Sequence, residues 1–179
     1  MSIRRLAFVP LAIVLGGLSM AVSCDDVKDA LPDVSAPVSL NISVRSTQSD
    51  YQQTDTLDLN DNADFRDNRA QIKFVEVSEV RLQVVPGSYG RRNTLVEQAT
   101  IEFAHPDSTR YRLMGTLANV RLKDLETPTL LPGTTASWNA LADLARTSTK
   151  GVKMRYGFRA DTSSFSFDGT VTVRFKLRY

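Results

Sequence analysis

The residues able to do chemistry crowd into one stretch, 50–68, which reads DYQQTDTLDLNDNADFRDN. It holds Asp50, Asp55, Asp58, Asp61, Asp64 and Asp67, with Asn60, Asn62 and Asn68 between them. Calcium takes about six to eight hard oxygen ligands, and such a run could supply them. Asp58, Asn60 and Asn62 fall at the first, third and fifth positions of an EF-hand loop. Ala63 then stands where that loop turns on glycine, and Arg69 where it needs a bidentate glutamate. Two readings stay open: a calcium loop, or a solvated loop with a short helical turn whose Asp and Asn side chains cap the backbone. The second is the expectation, and no metal site is assigned. The single histidine, His105, precedes Pro106 and Asp107 and reads as a turn residue. With one His and one Cys, an intrachain disulfide, a His-based metal cluster and a multi-cysteine metal site are all excluded. There is no G-x-S-x-G elbow, no S-x-x-K, no G-x-G-x-x-G and no Walker motif. A carboxylate pair for glycoside hydrolysis is a three-dimensional property that spacing does not reveal. The expectation is a domain that is not an enzyme and needs no cofactor.

The surroundings of these residues are those of an ordinary globular domain: 179 residues, 42% hydrophobic, 23% charged. Lys and Arg number 22 against 20 Asp and Glu, a net charge of +2. Nucleic-acid binding needs a dense basic face, so no nucleic-acid partner is expected.

The lone cysteine, Cys24, ends a stretch of distinct character, MSIRRLAFVPLAIVLGGLSMAVSC. Arg4 and Arg5 are followed by an apolar run from Leu6 to Leu18 and then by small residues ending in Ala21-Val22-Ser23-Cys24. Positive, apolar, then small is the order of a secretory signal. The apolar run is short for a spanning helix of about 20 residues and carries Pro10, Gly16 and Gly17. The stretch resembles a bacterial lipoprotein signal, in which a small residue precedes an invariant cysteine. Ala21 stands where that family most often has Leu. The resemblance implies cleavage before Cys24, a diacylglyceryl group on its sulfur and acylation of the new amino terminus. The expected organisation is a signal peptide over 1–23, a lipidated Cys24 with a polar, acidic tether over 24–36, and a domain over 37–179. Without Arg4 and Arg5, the 156 residues from Cys24 onward carry equal numbers of acidic and basic residues.

From residue 37 the apolar period is two, which places one face on a core. Val38, Leu40, Ile42 and Val44 alternate with polar residues, as do Val152, Met154, Tyr156 and Phe158, and Val171, Val173, Phe175, Leu177 and Tyr179. In 71–85 the phase Ile72, Phe74 stumbles at Glu76 and Ser78 and resumes at Val80, Leu82 and Val84, which predicts a bulge or a change of sheet. Weaker strands are expected over 94–104 and 110–117. Trp138, Leu141, Ala142 and Ala145 are spaced for one helical face, with Thr134, Thr135 or Ser137 as cap. Short strands, turn signals and one short helix predict an all-β, antiparallel sandwich, immunoglobulin-like or related. This segment, with Cys24 and the acidic tether, resembles small β-sandwich envelope lipoproteins of Bacteroidota-like bacteria. That likeness implies a class and no activity.

Charge is polarised: residues 24–68 carry three basic and ten acidic residues, residues 151–179 six and two. If the last two strands were neighbours, Arg155, Arg159, Arg174, Lys176 and Arg178 could form a basic stripe. A solvated face neutralised by the acidic half is the expectation. The terminal TVTVRFKLRY also suits a small outer-membrane β-barrel, the rival architecture. The functional expectation is a cell-envelope lipoprotein, held to a membrane through Cys24, whose domain meets an unidentified envelope protein or glycan. A small-molecule or glycan carrier with a pocket near Trp138, Phe165 and Phe167 is the alternative.

Overall fold

The computed structural model describes residues 33–91 and 93–179. The expected signal peptide, Cys24 and the tether up to residue 32 lie outside the described residues. In chain order the elements are β1 (Val34–Ser46), β2 (Asp50–Leu57), a 3-10 turn (Leu59–Asp61), α1 (Ala63–Asn68), a second 3-10 turn (Arg69–Gln71) and β3 (Phe74–Val84). They continue with β4 (Leu95–Ala104), β5 (Arg112–Arg121), a third 3-10 turn (Asp124–Glu126), β6 (Thr129–Leu130), α2 (Thr135–Thr147), β7 (Val152–Ala160) and β8 (Phe165–Arg178). The first strand thus begins three residues inside the segment expected as tether, and Ala36 is fully buried.

The strands form two antiparallel four-stranded sheets, ordered β1-β8-β3-β6 and β2-β7-β4-β5. Alternation builds the core. Val38, Ile42 and Val44 of β1 face inward, as do Met154, Tyr156 and Phe158 of β7 and Val171, Val173, Phe175 and Leu177 of β8. Fully burying one such side chain contributes roughly 1.5–3 kcal/mol. Aromatic rings fix the interior: Phe158 meets Phe167 edge-on at 5.0 Å between centroids, and Phe65 of α1 meets Phe175 edge-on at 5.2 Å. The outer faces are polar. A transmembrane barrel has the reverse alternation around one closed sheet, so two separate sheets around an apolar interior overturn the barrel expectation.

The irregularity in β3 is a bulge, with the register against β8 shifting between Val77 and Glu79. Val75 and Val77 face inward before it and Val80, Leu82 and Val84 after it, so both apolar phases of the sequence are used. Phe74, expected inside, is 46% exposed, and the Arg178 guanidinium lies 5.0 Å from its ring centroid.

Helix α2 packs against β3 of one sheet and β5 of the other. The Thr134 side chain caps it by accepting from the Ser137 amide, and Leu141, Ala142 and Ala145 are buried. Just before the helix the chain joins the sheets: Leu131 N–H donates to Val80 O (2.9 Å), and Thr116 N–H to Pro132 O (3.4 Å). Gly133 makes this crossing possible, because a Cβ there would lie 2.2 Å from both Met114 O and Trp138 Nε1. Among the described residues no helix is long and apolar enough to cross a membrane.

Candidate functional site

The aspartate-rich stretch is divided by the fold. Residues 50–57, expected as loop, are strand β2, paired with β7. Beyond them the polar side chains hold the backbone. Asp58 Oδ1 accepts from Asn60 N (2.9 Å) and Asn62 Oδ1 from Asp64 N (2.9 Å), capping the 3-10 turn and α1. Asp67 pairs with Arg66, and Asp64 Oδ1 accepts from the Tyr179 hydroxyl (3.0 Å). Among the described residues no three His, Cys, Asp or Glu side chains converge in a way that could hold a metal.

The basic residues of the last two strands are not brought together, because β7 and β8 belong to different sheets. Each arginine faces an acid from a neighbouring element. Arg155 Nε lies 2.6 Å from Glu102 and Arg159 Nε 3.1 Å from Glu97, both on β4. Arg174 Nε lies 2.7 Å from Glu79 on β3, and Arg178 Nε 2.6 Å from Asp33. Burial pushes the Glu79 carboxyl up, but hydrogen bonds from Arg81 and Arg174 outweigh it and hold the group below its ordinary value. Hydrogen bonds from Ser43 and then Arg45 lower Asp168 in the same way. On the outer face of the second sheet the Arg155 guanidinium also stacks 4.0 Å from the Tyr111 ring. Arg91 donates to Thr162 Oγ1 at 3.3 Å.

Trp138, Phe165 and Phe167 are not brought to one place: Phe165 lies at one end of the sandwich and Trp138 beside the sheet crossing. Phe167 is fully buried in the ring cluster, and Phe165 is 5% exposed. The Trp138 indole N–H donates to Met114 O (3.2 Å), fixing the ring beside the sheet crossing. At the end of the sandwich where β1, β3 and β7 finish, a depression of about 340 Å³ is lined by Ser46, Gly90, Ser164 and Phe165. The Arg45 at its rim is held by both oxygens of Asp168.

A different cleft, about 410 Å³, opens at the opposite end, where β4 runs out and β5 begins. Its floor is apolar: Phe103 and Ala104 are 2% and 4% exposed. One wall is helix α2, through Ala140, Asp143 and Leu144. The other wall carries Arg110 and Arg112, with His105 at the rim. Arg112 stands opposite Phe103 in the β4–β5 register, so it occupies a position on the core side of the sheet. Tyr111 between them goes to the outer face, as its contact with Arg155 shows. The guanidinium groups of Arg110 and Arg112 have no hydrogen-bond, ion-pair or ring partner among the described residues. His105 sits in the β4–β5 turn, where its Nδ1 accepts from the Asp107 amide (3.2 Å), and Asp107 pairs with Lys150 at 3.2 Å. His105 lies in the turn that the sequence predicts, whereas neither arginine is legible as a site residue in the sequence. The sequence carries no signal for Arg112, because Tyr111, Leu113 and Leu117 set the apolar phase and the bulge that shifts the β4–β5 register puts Arg112 opposite Phe103.

No protein-family profile matches the chain, and no curated protein matches it. Among solved structures, a chain from desmodium yellow mottle tymovirus is similar at 14% identity, over 99% of this chain and 95% of its own. Its TM-score of 0.36 carries no argument for either fold or function.

Proposed function

We propose that this protein is a lipid-anchored component of a bacterial cell envelope whose β-sandwich serves as a non-catalytic binding or interaction module. The observation that carries the reading is the order of Arg4 and Arg5, the apolar run and Ser23-Cys24, a lipoprotein-type cleavage and acylation signal. The position of the first strand supports it. From Cys24 to Val34 only nine residues intervene, which span at most about 32 Å when extended. A lipid on Cys24 would confine the domain to that distance from a surface and raise its effective concentration for a neighbour. Each buried lipid CH₂ contributes about 0.8 kcal/mol, so the two or three chains of a lipoprotein cysteine would hold where one chain holds marginally. The polar inventory supports binding over catalysis: Asp58 caps a turn, Asp64 and Asp67 have side-chain partners, and the histidine is engaged by its own turn.

Metabolic labelling with a radioactive fatty acid tests the reading. Label is expected on the wild type and lost in Cys24→Ser, which should also leave the membrane fraction. An unlabelled wild type would overturn the anchor.

A further inference from the structure

We propose that the cleft between the β4–β5 turn and helix α2 is a binding site for a small amphipathic carboxylate, with Arg110 and Arg112 as its anion-binding pair. The inference stands on the sandwich alone and does not depend on lipidation of Cys24. Its first support is that two arginines without a partner line one cleft. Arg155, Arg159, Arg174 and Arg178 all have carboxylate partners within 3.1 Å. Arg110 and Arg112 have none, although they share a cleft whose opposite wall holds a carboxylate, Asp143. Both line the cleft, Arg112 from the start of β5 and Arg110 from the turn that leads into it. A guanidinium matches a carboxylate through two parallel N–H···O bonds, which gives direction as well as charge.

The second support is the floor. A site for a free inorganic anion would be polar throughout. Here Phe103, Ala104, Ala140 and Leu144 offer apolar surface beneath and beside the charge, the pattern of a small-molecule site with a few convergent polar groups. The cleft volume of about 410 Å³ falls within the range of about 300–1,000 Å³ usual for such sites. The charges facing the cleft are Arg110 and Arg112 on one side and Asp143 on the other, with the His105 ring at the rim. Asp143 opposes an anion, so its removal and removal of an arginine must act in opposite directions.

The test is titration of the full-length chain with hexanoate, followed by amide NMR shifts in residues 103–112 and 140–144, with acetate and hexanol as partial ligands. Hexanoate is expected to shift these amides saturably, and acetate and hexanol to bind at least about tenfold more weakly, the loss of one charge-assisted contact or the apolar contact. Arg112→Gln should weaken hexanoate about tenfold, and Asp143→Asn should tighten it several-fold. Both side chains are exposed, and unchanged spectra elsewhere would show an intact fold. Equal binding of hexanol would mean an apolar patch alone, and equal binding of acetate an isolated surface charge; either overturns the proposal. So would hexanoate affinity that neither substitution moves.

Discussion

The Tyr156 hydroxyl is buried without a hydrogen-bond partner, alone among the side-chain polar atoms of the described residues. Burial pushes its phenol up to about 12, and the neighbouring Tyr51 and Asp55 add to the shift. Between pH 10 and about 12 the unfolded chain ionises this phenol and the folded chain does not, so folding retains a proton that unfolding releases. Stability should therefore be steady below pH 10 on this account and fall through that window. Tyr156→Phe removes an orphaned polar atom while keeping the ring. It should raise stability at neutral pH by about 1 kcal/mol and flatten the alkaline fall, as read by urea denaturation at pH 7, 10 and 11. A loss of stability in the variant would show that the hydroxyl has a partner, such as a buried water. At this same scale the arginine pairs were not legible in the sequence. Arg174 finds Glu79 about ninety-five residues away, and only the sheet assignment says which acids lie beside which strand.

At the scale of elements, alternation made β1, β7 and β8 legible, because each has one face in the core and one in water. Their inward residues are those the period of two picks out, and β8 extends further, from Phe165. The stumble in β3 was legible as a bulge, but its direction was not. Phe74 and Val75 compete for the inward position, and the β8 register gives it to Val75. Strand β2 is not legible in the sequence because Asp50, Gln52, Gln53 and Asp55 carry no apolar alternation. It is an edge strand held by backbone pairing to β7, and only Leu57 is fully buried. The helix was legible from its spacing and cap, yet the crossing that precedes it was not, since it depends on the absence of a side chain. Gly133→Ala places a methyl 2.2 Å from Met114 O and from the Trp138 indole nitrogen. It should cost about 2–3 kcal/mol through forced displacement and change the Trp138 fluorescence, since the indole must move. A variant with wild-type stability and emission would mean that the chain crosses between the sheets differently.

Over the whole molecule, the two ends of the sandwich differ in character. The end where β1, β3 and β7 finish is rich in hydroxyls, and the arginine at its rim is already paired. The opposite end receives the chain at Asp33 and also carries the cleft of Arg110 and Arg112, since Val34 pairs with Leu177 and Ala104 with Lys153 near the close of their ladders. The sandwich class followed from strand number and turn spacing. The division of strands between sheets did not, and it decides that the C-terminal basic residues face two different surfaces. That division also decides that the cleft shares an end with the entering chain. The anchor is the central claim, and the intact mass of the protein purified from the membranes of its own host tests it most directly. The account predicts a chain beginning at Cys24, heavier than the 156-residue polypeptide by a diacylglyceryl group and an N-terminal acyl chain, with both on the peptide containing Cys24. A chain retaining residues 1–23, or one beginning near Cys24 with an unmodified thiol, would contradict it.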